Sequence, residues 1–226
     1  MSHYEINHAD DIYDVENTFY LRAPNARFAK MLAHYELYRR IVGLPGSVVE
    51  FGVYKGASFM RMLAFRDLLE NGSSRKIIGF DAFGRFPVAA GESEDDRSFI
   101  KKFESQGGDG IARDDLTDAI DRKGMGNFEL VAGDVFETLP GYLEAHPELR
   151  ISLLHLDMDV YGPTRFVIDQ LLDHVVPGGL VLFDDYGLVG GATRAADELA
   201  ARLGAPIEKL PLYAAPSFIV APGGKR

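Results

Sequence analysis

The chain has no cysteine among its 226 residues. That absence excludes disulfide bonds, thiolate metal ligands and cysteine nucleophiles. Positive charge is also scarce, because 34 acidic residues face 24 lysines and arginines and leave a net charge of −10. Such an acidic chain is a poor partner for a nucleic-acid backbone or an anionic membrane surface. We therefore expect no nucleic acid and no membrane among its partners.

Long apolar runs are missing as well. No stretch approaches the ~20 apolar residues that cross a bilayer, and the first residues lack the basic and apolar regions of a signal peptide. These absences predict a cytoplasmic protein. What is present is a hydrophobic content of 46%, which over this length is enough for one sizeable core.

Short apolar runs alternate with helical patterns along most of the chain, which is typical of a parallel sheet covered on both faces. We predict one doubly wound, Rossmann-like α/β domain at 25–226, with a mostly parallel seven-stranded sheet and a terminal antiparallel strand. The predicted strands are 47–51, 76–80, 127–131, 151–156, 179–183, 207–210 and 218–220, and the predicted helices are 25–42, 58–69, 114–123, 139–145, 163–174 and 192–203.

Two segments fall outside this alternation. Residues 1–24 are acidic and carry several aromatics, so we expect an arm that packs on its own domain or on a partner subunit of a homo-oligomer. Residues 84–110 are polar and predicted to be irregular, with an acidic tip at 91–96. Long structureless segments inside compact domains are often functional, so a lid and a solvated surface insertion both remain open for 84–110.

Aspartates follow two of the predicted strands directly. Asp157 and Asp159 come after the apolar run 151–156, and Asp184 and Asp185 come after 179–183. Ligands of open α/β sheets bind beyond the carboxyl ends of the strands, so these carboxylates are expected to share one crevice. Crowded carboxylates repel unless a proton or cation lies between them, and oxygen ligands suit magnesium or calcium. The alternative for an Asp-Asp pair is a turn or a helix cap.

A glycine loop follows the first predicted strand. Gly52 and Gly56 allow a sharp turn and a close approach of the backbone to a ligand, and a helix begins near Ser58. The spacing differs from that of dinucleotide-binding loops, and a tight strand–helix turn is the simpler interpretation. Asp81 ends the second strand, where an acid accepts hydrogen bonds from ribose hydroxyls. Together these features indicate a nucleoside-containing ligand.

These residues carry a family resemblance. The loop Glu50-x-Gly52-x-x-x-Gly56 followed by Asp81 resembles the cofactor loop of class I S-adenosylmethionine-dependent methyltransferases. A more specific resemblance, to the macrocin/mycinamicin sugar O-methyltransferase family, covers about 27–186. Its motifs are His155-Leu156-Asp157-Met158-Asp159-Val160-Tyr161, Phe183-Asp184-Asp185-Tyr186-Gly187, Phe80-Asp81-Ala82-Phe83-Gly84-x-Phe86-Pro87 and Gly133-Asp134-Val135-x-x-Thr138-Leu139-Pro140.

The resemblance implies an S-adenosylmethionine- and Mg²⁺-dependent O-methyltransferase. Its substrate would be a small molecule that contains a sugar, either a nucleotide-linked deoxysugar or a glycosylated natural product. The implied magnesium ligands are Asp157, Asp184 and Asp185, and Asp157 is also the implied general base. The implied cofactor site consists of Glu50, Gly52, Tyr54, Gly56, Ser58, Asp81 and Asp134.

Several alternatives stay open. His155 is a second candidate for the proton acceptor, but its alternation with Leu154 and Leu156 also fits a buried core histidine. Asp159 either bonds to backbone or holds a ligand, and His34 is expected to be solvated. A catechol-type O-methyltransferase, a nicotinamide-dependent oxidoreductase and a non-catalytic nucleoside-binding protein are the competing functions.

Overall fold

The computed structural model describes residues 11–85, 87 and 94–223. The first ten residues of the predicted arm, Phe86, and residues 88–93, which include much of the acidic tip, lie outside the described residues. Within the described part of the chain, no helix is both long enough and apolar enough to cross a bilayer.

A seven-stranded sheet forms the centre of the fold, in the order β3-β2-β1-β4-β5-β7-β6. Strands β1 to β5 pair in parallel, and β7 runs antiparallel to both of its neighbours, β5 and β6. The predicted fold, a Rossmann-like sheet that is mostly parallel with a terminal antiparallel strand, is confirmed. The strands are β1 Ser47–Phe51, β2 Ile77–Asp81, β3 Phe128–Ala132, β4 Ile151–Leu156, β5 Val175–Phe183, β6 Glu208–Lys209 and β7 Ser217–Val220.

Helices cover the two faces of this sheet. One face packs on α2, α3 and α5 through side chains such as Leu37 and Phe59, and the other packs on α6, α7 and α8 through Leu139 and Val167. The helices are α1 Ile12–Arg22, α2 Asn25–Ile41, α3 Ala57–Leu69, α4 Glu94–Gly107, α5 Arg113–Arg122, α6 Val135–Ala145, α7 Tyr161–Leu171 and α8 Gly190–Leu203, with a short 3-10 turn at Leu172–His174.

Successive strand residues divide between the two layers. In β4, Leu153 belongs to the core beneath α2 and α3, and Leu154 belongs to the core beneath α7 and α8. This is the two-residue period of a strand whose faces are both buried, and it explains why the strand runs are continuously apolar. All six residues of β4 are buried. The polar residues at the ends of such strands are therefore held on a rigid edge.

The segment 84–110, predicted to be irregular, contains helix α4. Its aromatic residues explain the difference: Phe99 and Phe103 are four residues apart and stack at 6.0 Å between ring centroids. Phe103 also contacts the ring of Tyr54 at 5.1 Å. Two aromatic residues on one helix face are too sparse a pattern to stand out in an otherwise charged sequence, and tertiary contact with the β1 loop supplies the rest.

The described part of the N-terminal arm is also helical. Asp11 caps α1 by accepting a hydrogen bond from the Tyr13 backbone N–H at 2.8 Å. No residue of α1 is buried, and its aromatic side chains Phe19 and Tyr20 pack against Phe28 at the start of α2. The arm therefore contacts its own chain through aromatic rings while the rest of its apolar surface stays exposed.

Candidate active site

The carboxyl ends of β1 to β5 surround one cavity of about 360 Å³. Gly52 follows β1, Asp81 ends β2, and Asp134 lies two residues beyond β3. Asp157 follows β4, and Asp184 and Asp185 follow β5, so residues predicted for a cofactor and for a metal line the same space. Parallel strands bring their carboxyl ends to one edge, which is why separated motifs meet here.

The loops after β1 and β4 touch through their backbones. Gly52 has φ +90°, and a Cβ at this position would lie 1.9 Å from the carbonyl oxygen of Asp157. The Asp157 N–H donates to the Phe51 carbonyl at 2.8 Å. Only glycine fits between these two loops. The close approach at Gly52 is to the loop after β4, and the predicted approach to a ligand stays a prediction.

Asp81 organises the glycine loop. Its Oδ2 accepts hydrogen bonds from the backbone N–H groups of Val53 at 2.7 Å and Tyr54 at 2.8 Å, and its Oδ1 accepts one from Phe83 at 2.6 Å. Tyr54 and Phe83 both have positive φ, 52° and 50°, a conformation that surrounding bonds must hold. A carboxylate offers about four acceptor sites. One site of Asp81 thus remains for a ligand hydroxyl.

Asp134 is the N-cap of α6. Its Oδ1 accepts a hydrogen bond from the Phe136 backbone N–H at 3.0 Å, which stabilises the first turn of the helix. This cap also explains why α6 begins at Val135, four residues before the predicted start. The side chain lines the cavity beside Phe136, so capping and contact with a ligand are compatible.

Three predicted cofactor residues do not line the cavity. Glu50 is fully buried in β1 and accepts a hydrogen bond from the Ser58 hydroxyl at the start of α3. Gly56 has φ +81° and lies against Leu116, where a Cβ would meet the side chain at 2.8 Å. These positions shape the loop from beneath, because the strand and helix that carry Glu50 and Ser58 bury both side chains.

The predicted metal ligands come together. Carboxylate oxygens of Asp157, Asp184 and Asp185 lie within 4.8 Å of one another. Asp159, with φ 65°, bends the loop after β4 so that its carboxyl group shares a hydrogen bond with Asp185. Four aspartates thus occupy one end of the cavity. The Asp159 side chain contacts Asp185, an outcome that differs from both the backbone bond and the ligand contact considered for it.

Mutual repulsion and burial perturb this group. Burial, together with the charges of Asp184 and Asp185, raises the pKa of Asp157 well above its usual range. Burial and the neighbouring Asp159 raise the pKa of Asp185 to about 8. Burial and Asp157 raise the pKa of Asp159 to about 7. Carboxyl groups this crowded retain protons near neutral pH unless a cation replaces them.

Asp184 differs from the other three because basic side chains surround it. Although burial opposes ionisation, His155, His34 and Lys30 hold the pKa of Asp184 well below its usual range. Lys30 donates a hydrogen bond to Asp184 Oδ2. Burial alone would lower the pKa of Lys30, but the charges of Asp184 and Asp157 outweigh burial and raise this pKa. In the described part of the chain, Lys30 supplies an ammonium group to the aspartate cluster.

The two histidines lie beneath the cluster and not in the cavity. His155 is 0% exposed, with Nε2 at 3.4 Å from Asp184 Oδ1 and Nδ1 at 3.5 Å from Glu50 Oε1. Burial opposes it, but these two carboxylates raise the pKa of His155 to about 10. His34, expected to be solvated, is also fully buried, since α2 packs its ring edge-on to His155 at 5.3 Å.

The residues present fit a hard divalent cation. The three carboxylates are oxygen donors at the ends of two adjacent strands, the donor type that Mg²⁺ prefers. Asp185 Oδ2 is buried and, among the residues that the structure describes, has no hydrogen-bond partner. A buried carboxylate oxygen without a donor is strongly disfavoured unless a cation satisfies it. Asp184 and Asp185 also begin the turn that follows β5, where the Leu188 N–H donates to the Asp185 carbonyl at 2.9 Å, so the turn alternative is met alongside the carboxylate cluster.

The segment 84–110 also contributes to the wall of the cavity. Gly84, Arg85, Phe103, Glu104 and Asp109 line it, and Tyr54 joins the segment to the glycine loop by a hydrogen bond to the Gly107 carbonyl. The sequence prediction missed this contribution of α4, and it also missed Lys30. Lys30, His34 and Leu37 follow one another at spacings of four and three on α2, which is the signal that basic residues share its buried face.

Solved structures show where this fold occurs. The apo structure of CalS11, a TDP-rhamnose 3′-O-methyltransferase of calicheamicin biosynthesis, is 26% identical with a TM-score of 0.68, covering 95% of this chain and 88% of that chain. The O-methyltransferase NovP superposes with a TM-score of 0.74 at 19% identity, over 86% of this chain and 80% of that chain. The NovP likeness concerns the fold.

A sequence relative is found among characterised enzymes. The 8-demethyl-8-(2,3-dimethoxy-α-L-rhamnosyl)-tetracenomycin-C 4′-O-methyltransferase of Streptomyces olivaceus is 28% identical over 149 residues, 65% of this chain and 55% of that protein. The match therefore spans about half the length of this relative.

The family model described as macrocin-O-methyltransferase (TylF) matches residues 25–214. This range contains the glycine loop, the four aspartates and α4, so the match includes the whole candidate active site. It confirms the resemblance predicted from the acidic motifs, and the family is one of O-methyltransferases, enzymes that use S-adenosylmethionine. The chain belongs to the macrocin-O-methyltransferase family.

Proposed function

We propose that this protein transfers a methyl group from S-adenosylmethionine to a hydroxyl group of a sugar, with a divalent ion, Mg²⁺, held by Asp157, Asp184 and Asp185. The observation that carries the proposal is that the carboxylate group and the glycine loop face one cavity and meet at the Gly52–Asp157 contact. Methyl donor and metal-bound acceptor would then lie side by side.

The cofactor half of the proposal uses the residues that line the cavity. Asp81 has one acceptor site left for a ribose hydroxyl, and Asp134 and Phe136 border the space next to β3. S-adenosylmethionine, when bound, supplies a methyl group on a positively charged sulfonium. The net negative charge of the aspartates would favour that charge over a neutral thioether. Glu50, Gly56 and Ser58 support the loop from beneath.

The acceptor half needs a proton removed from a poorly acidic hydroxyl. A bound Mg²⁺ would polarise this hydroxyl as a Lewis acid. Asp157 lines the cavity, so its carboxylate can reach the proton of an acceptor bound there. We therefore assign proton transfer to Asp157 and not to His155, which lies outside the cavity lining.

The acceptor is a small molecule that contains a sugar, as the two named relatives indicate. CalS11 acts on a TDP-linked rhamnose and the tetracenomycin enzyme on a rhamnosyl group already joined to its aglycone. A nucleotide-linked deoxysugar and a glycosylated natural product are thus the two acceptors to test. A catechol-type acceptor would use the same metal and vicinal oxygens. We also propose that the protein is a cytoplasmic enzyme of natural-product biosynthesis.

We propose in addition that the protein forms a homo-oligomer. Helix α1 exposes Ile12 at 69%, Tyr13 at 73% and Leu21 at 85%, and apolar surface of this kind marks an interface when it is contiguous. Light scattering on the full chain and on a variant with Leu21→Ser tests the assembly, which we expect the substitution to weaken.

Calorimetry tests the function first. We expect binding of S-adenosylmethionine and no binding of NAD⁺, which would remove the oxidoreductase alternative. Methyl transfer to TDP-rhamnose, to a rhamnosylated aglycone and to catechol should then be measured with Mg²⁺ and with EDTA. Activity on a sugar acceptor that EDTA abolishes supports the proposal. Full activity in EDTA would overturn the metal part and leave the methyl transfer standing.

A further inference from the structure

Asp184 ends a buried row of three ionisable side chains that also includes His155 and Glu50. Its Oδ1 lies 3.4 Å from His155 Nε2, and His155 Nδ1 lies 3.5 Å from Glu50 Oε1. Glu50 and His155 are both 0% exposed. An imidazole ring thus stands between two carboxylates, and neither Glu50 nor His155 lines the cavity where the reaction is proposed.

Backbone pairing fixes this row. Glu50 in β1 and His155 in β4 are register partners, and His155 pairs in turn with Leu182 in β5, two residues before Asp184. At the far end, the Ser58 hydroxyl at the start of α3 donates to Glu50 Oε1. The row therefore runs from the helix after the glycine loop, across two strands, to the metal-side aspartate.

The position of the ring makes the row interdependent. His155 Nε2 lies 3.4 Å from Asp184 Oδ1 and Nδ1 faces Glu50 Oε1 at 3.5 Å, so the ring separates the two carboxylates and contacts both. A buried charge is tolerated when it is paired and disfavoured when its partner is removed. Loss of Glu50 or of His155 would leave the other uncompensated and would change the group that orients Asp184.

We propose that Glu50 and His155 are positioning residues that hold the Asp184 carboxylate in place and thereby set the affinity of the three-aspartate site for its divalent ion. This inference rests on the metal part of the proposed function. It gives Glu50 a role other than cofactor contact and His155 a role other than proton acceptor. Groups behind a metal ligand typically change metal affinity or activity by about 10- to 100-fold when removed.

His34 defines the competing arrangement and also the control. His34, His155 and Asp184 present donor atoms within 4.8 Å, so a transition-metal site built on both rings would use the same residues. His34 is as deeply buried as His155, and its Nε2 lies 3.6 Å from Asp184 Oδ1. Among the described residues, Asp184 is the one carboxylate paired with the His34 ring. If the row holds Asp184 in place, removing His155 should weaken Mg²⁺ binding far more than removing His34. If the two rings form a transition-metal site, the two removals should weaken metal binding equally.

Magnesium titration by calorimetry separates these cases. The variants are His155→Gln, Glu50→Gln, the double variant and the control His34→Gln. We expect each of the first two to weaken Mg²⁺ binding by about 10- to 100-fold, the double variant to match the weaker single one, and the control to stay within about threefold. Equal losses of Mg²⁺ affinity in His34→Gln and His155→Gln would overturn the proposed role of Glu50 and His155. Fully additive losses of affinity in the double variant would overturn it as well.

Two further measurements keep the inference apart from folding and from catalysis. In His155→Gln, excess Mg²⁺ should recover kcat, and the KM for S-adenosylmethionine should not change. A loss of kcat that excess Mg²⁺ does not recover would point to a direct catalytic role and would overturn positioning.

A crystal structure of metal-free His155→Gln supplies the readout that needs no ion. We expect the Asp184 carboxylate to rotate or shift relative to the wild type, and to stay in place in His34→Gln. If the wild type binds no divalent ion, the metal part of the proposed function fails by itself. An unmoved Asp184 in His155→Gln would overturn the positioning inference whatever the metal titration shows.

Discussion

The two halves of the cavity use their acidic residues in opposite ways. In the loop half, formed by the ends of β1 to β3, Asp81 and Asp134 accept hydrogen bonds from backbone N–H groups. In the acid half, formed by the ends of β4 and β5, aspartates such as Asp157 and Asp185 face other aspartates. Acids that bind backbone hold loops in place, whereas acids that face one another are destabilising until a cation arrives.

The largest expected effect comes from breaking the contact between the halves. Gly52→Ala would place a Cβ 1.9 Å from the Asp157 carbonyl oxygen in a backbone with φ +90°. Overpacking and a strained backbone each cost about 1–3 kcal/mol, so we expect a loss of about 3 kcal/mol or more in unfolding free energy. Urea unfolding measures it. Gly43→Ala is the control, because nothing lies within 4 Å of its added Cβ; equal losses would mean that the contact is unimportant.

Neutralising one acid tests the acid half by itself. Asp185→Asn should lower kcat/KM by about 100-fold or more, since a predicted metal ligand is lost, while calorimetric affinity for S-adenosylmethionine stays unchanged. The same variant should make the metal-free protein more stable at pH 8, because it removes a buried charge. Asp81→Asn should show the opposite pattern, in which the main effect is a weaker affinity for S-adenosylmethionine. A similar loss of cofactor binding in both variants would contradict the division between the halves.

The stability gain of Asp185→Asn should depend on pH. The pKa of Asp185 is raised from 3.8 to about 8, so between these values the folded protein binds more protons than the unfolded chain. Unfolding free energy from this group therefore falls as pH rises through the window. We expect the difference between variant and wild type to grow from pH 4 to pH 8, measured by urea unfolding in EDTA. A difference independent of pH would show that Asp185 is ionised throughout.

A smaller effect is expected from the ammonium group in the acid half. Lys30→Met leaves Asp184 without a charge-assisted hydrogen bond, so the metal-free protein should lose roughly 1–3 kcal/mol of stability. Mg²⁺ should recover much of this loss, and thermal unfolding with and without the ion measures it. Lys76→Met is the matched control: its ion pair with Glu129 is at the surface and contributes less than ~1 kcal/mol. Equal effects would place Lys30 among ordinary surface lysines.

The smallest effect tests whether Asp134 has one role or two. Removing the cap with Asp134→Ala should cost about 0.5–2 kcal/mol, and Asp134→Ser should restore stability because serine also caps helices. If the carboxylate also contacts the cofactor, calorimetry will show weakened binding in both variants. Recovery of cofactor affinity in Asp134→Ser would limit this residue to the cap.

The sequence predicted the acid half better than its surroundings. Asp157 and Asp184 stand directly after short apolar strands, and strand direction alone brings them to one edge. Glu50 and His155 also belong to recognisable strands, but which side of the sheet each faces depends on register. The pairing of Glu50 with His155 across β1 and β4 decided that both are buried beneath the cavity.

Long-range partners were beyond the reach of local patterns. Lys30 and Asp184 are 154 residues apart, and only the packing of α2 on the sheet brings them together. His34 was expected in solvent, although its spacing from Lys30 and Leu37 on α2 marks it as a residue of the buried face. Helix α4 escaped prediction because two phenylalanines among charged residues form a weak pattern, and its contact with Tyr54 comes from the fold.

Helix α4 also separates what is fixed in this enzyme from what can vary. It lies in the connection from β2 to β3, where α5 already supplies the helix that packs on the sheet. Phe103 and Glu104 nevertheless form part of the cavity wall. The part of the wall that α4 contributes can therefore change by substitution within one connection, while the strands, the glycine loop and the aspartates stay as they are.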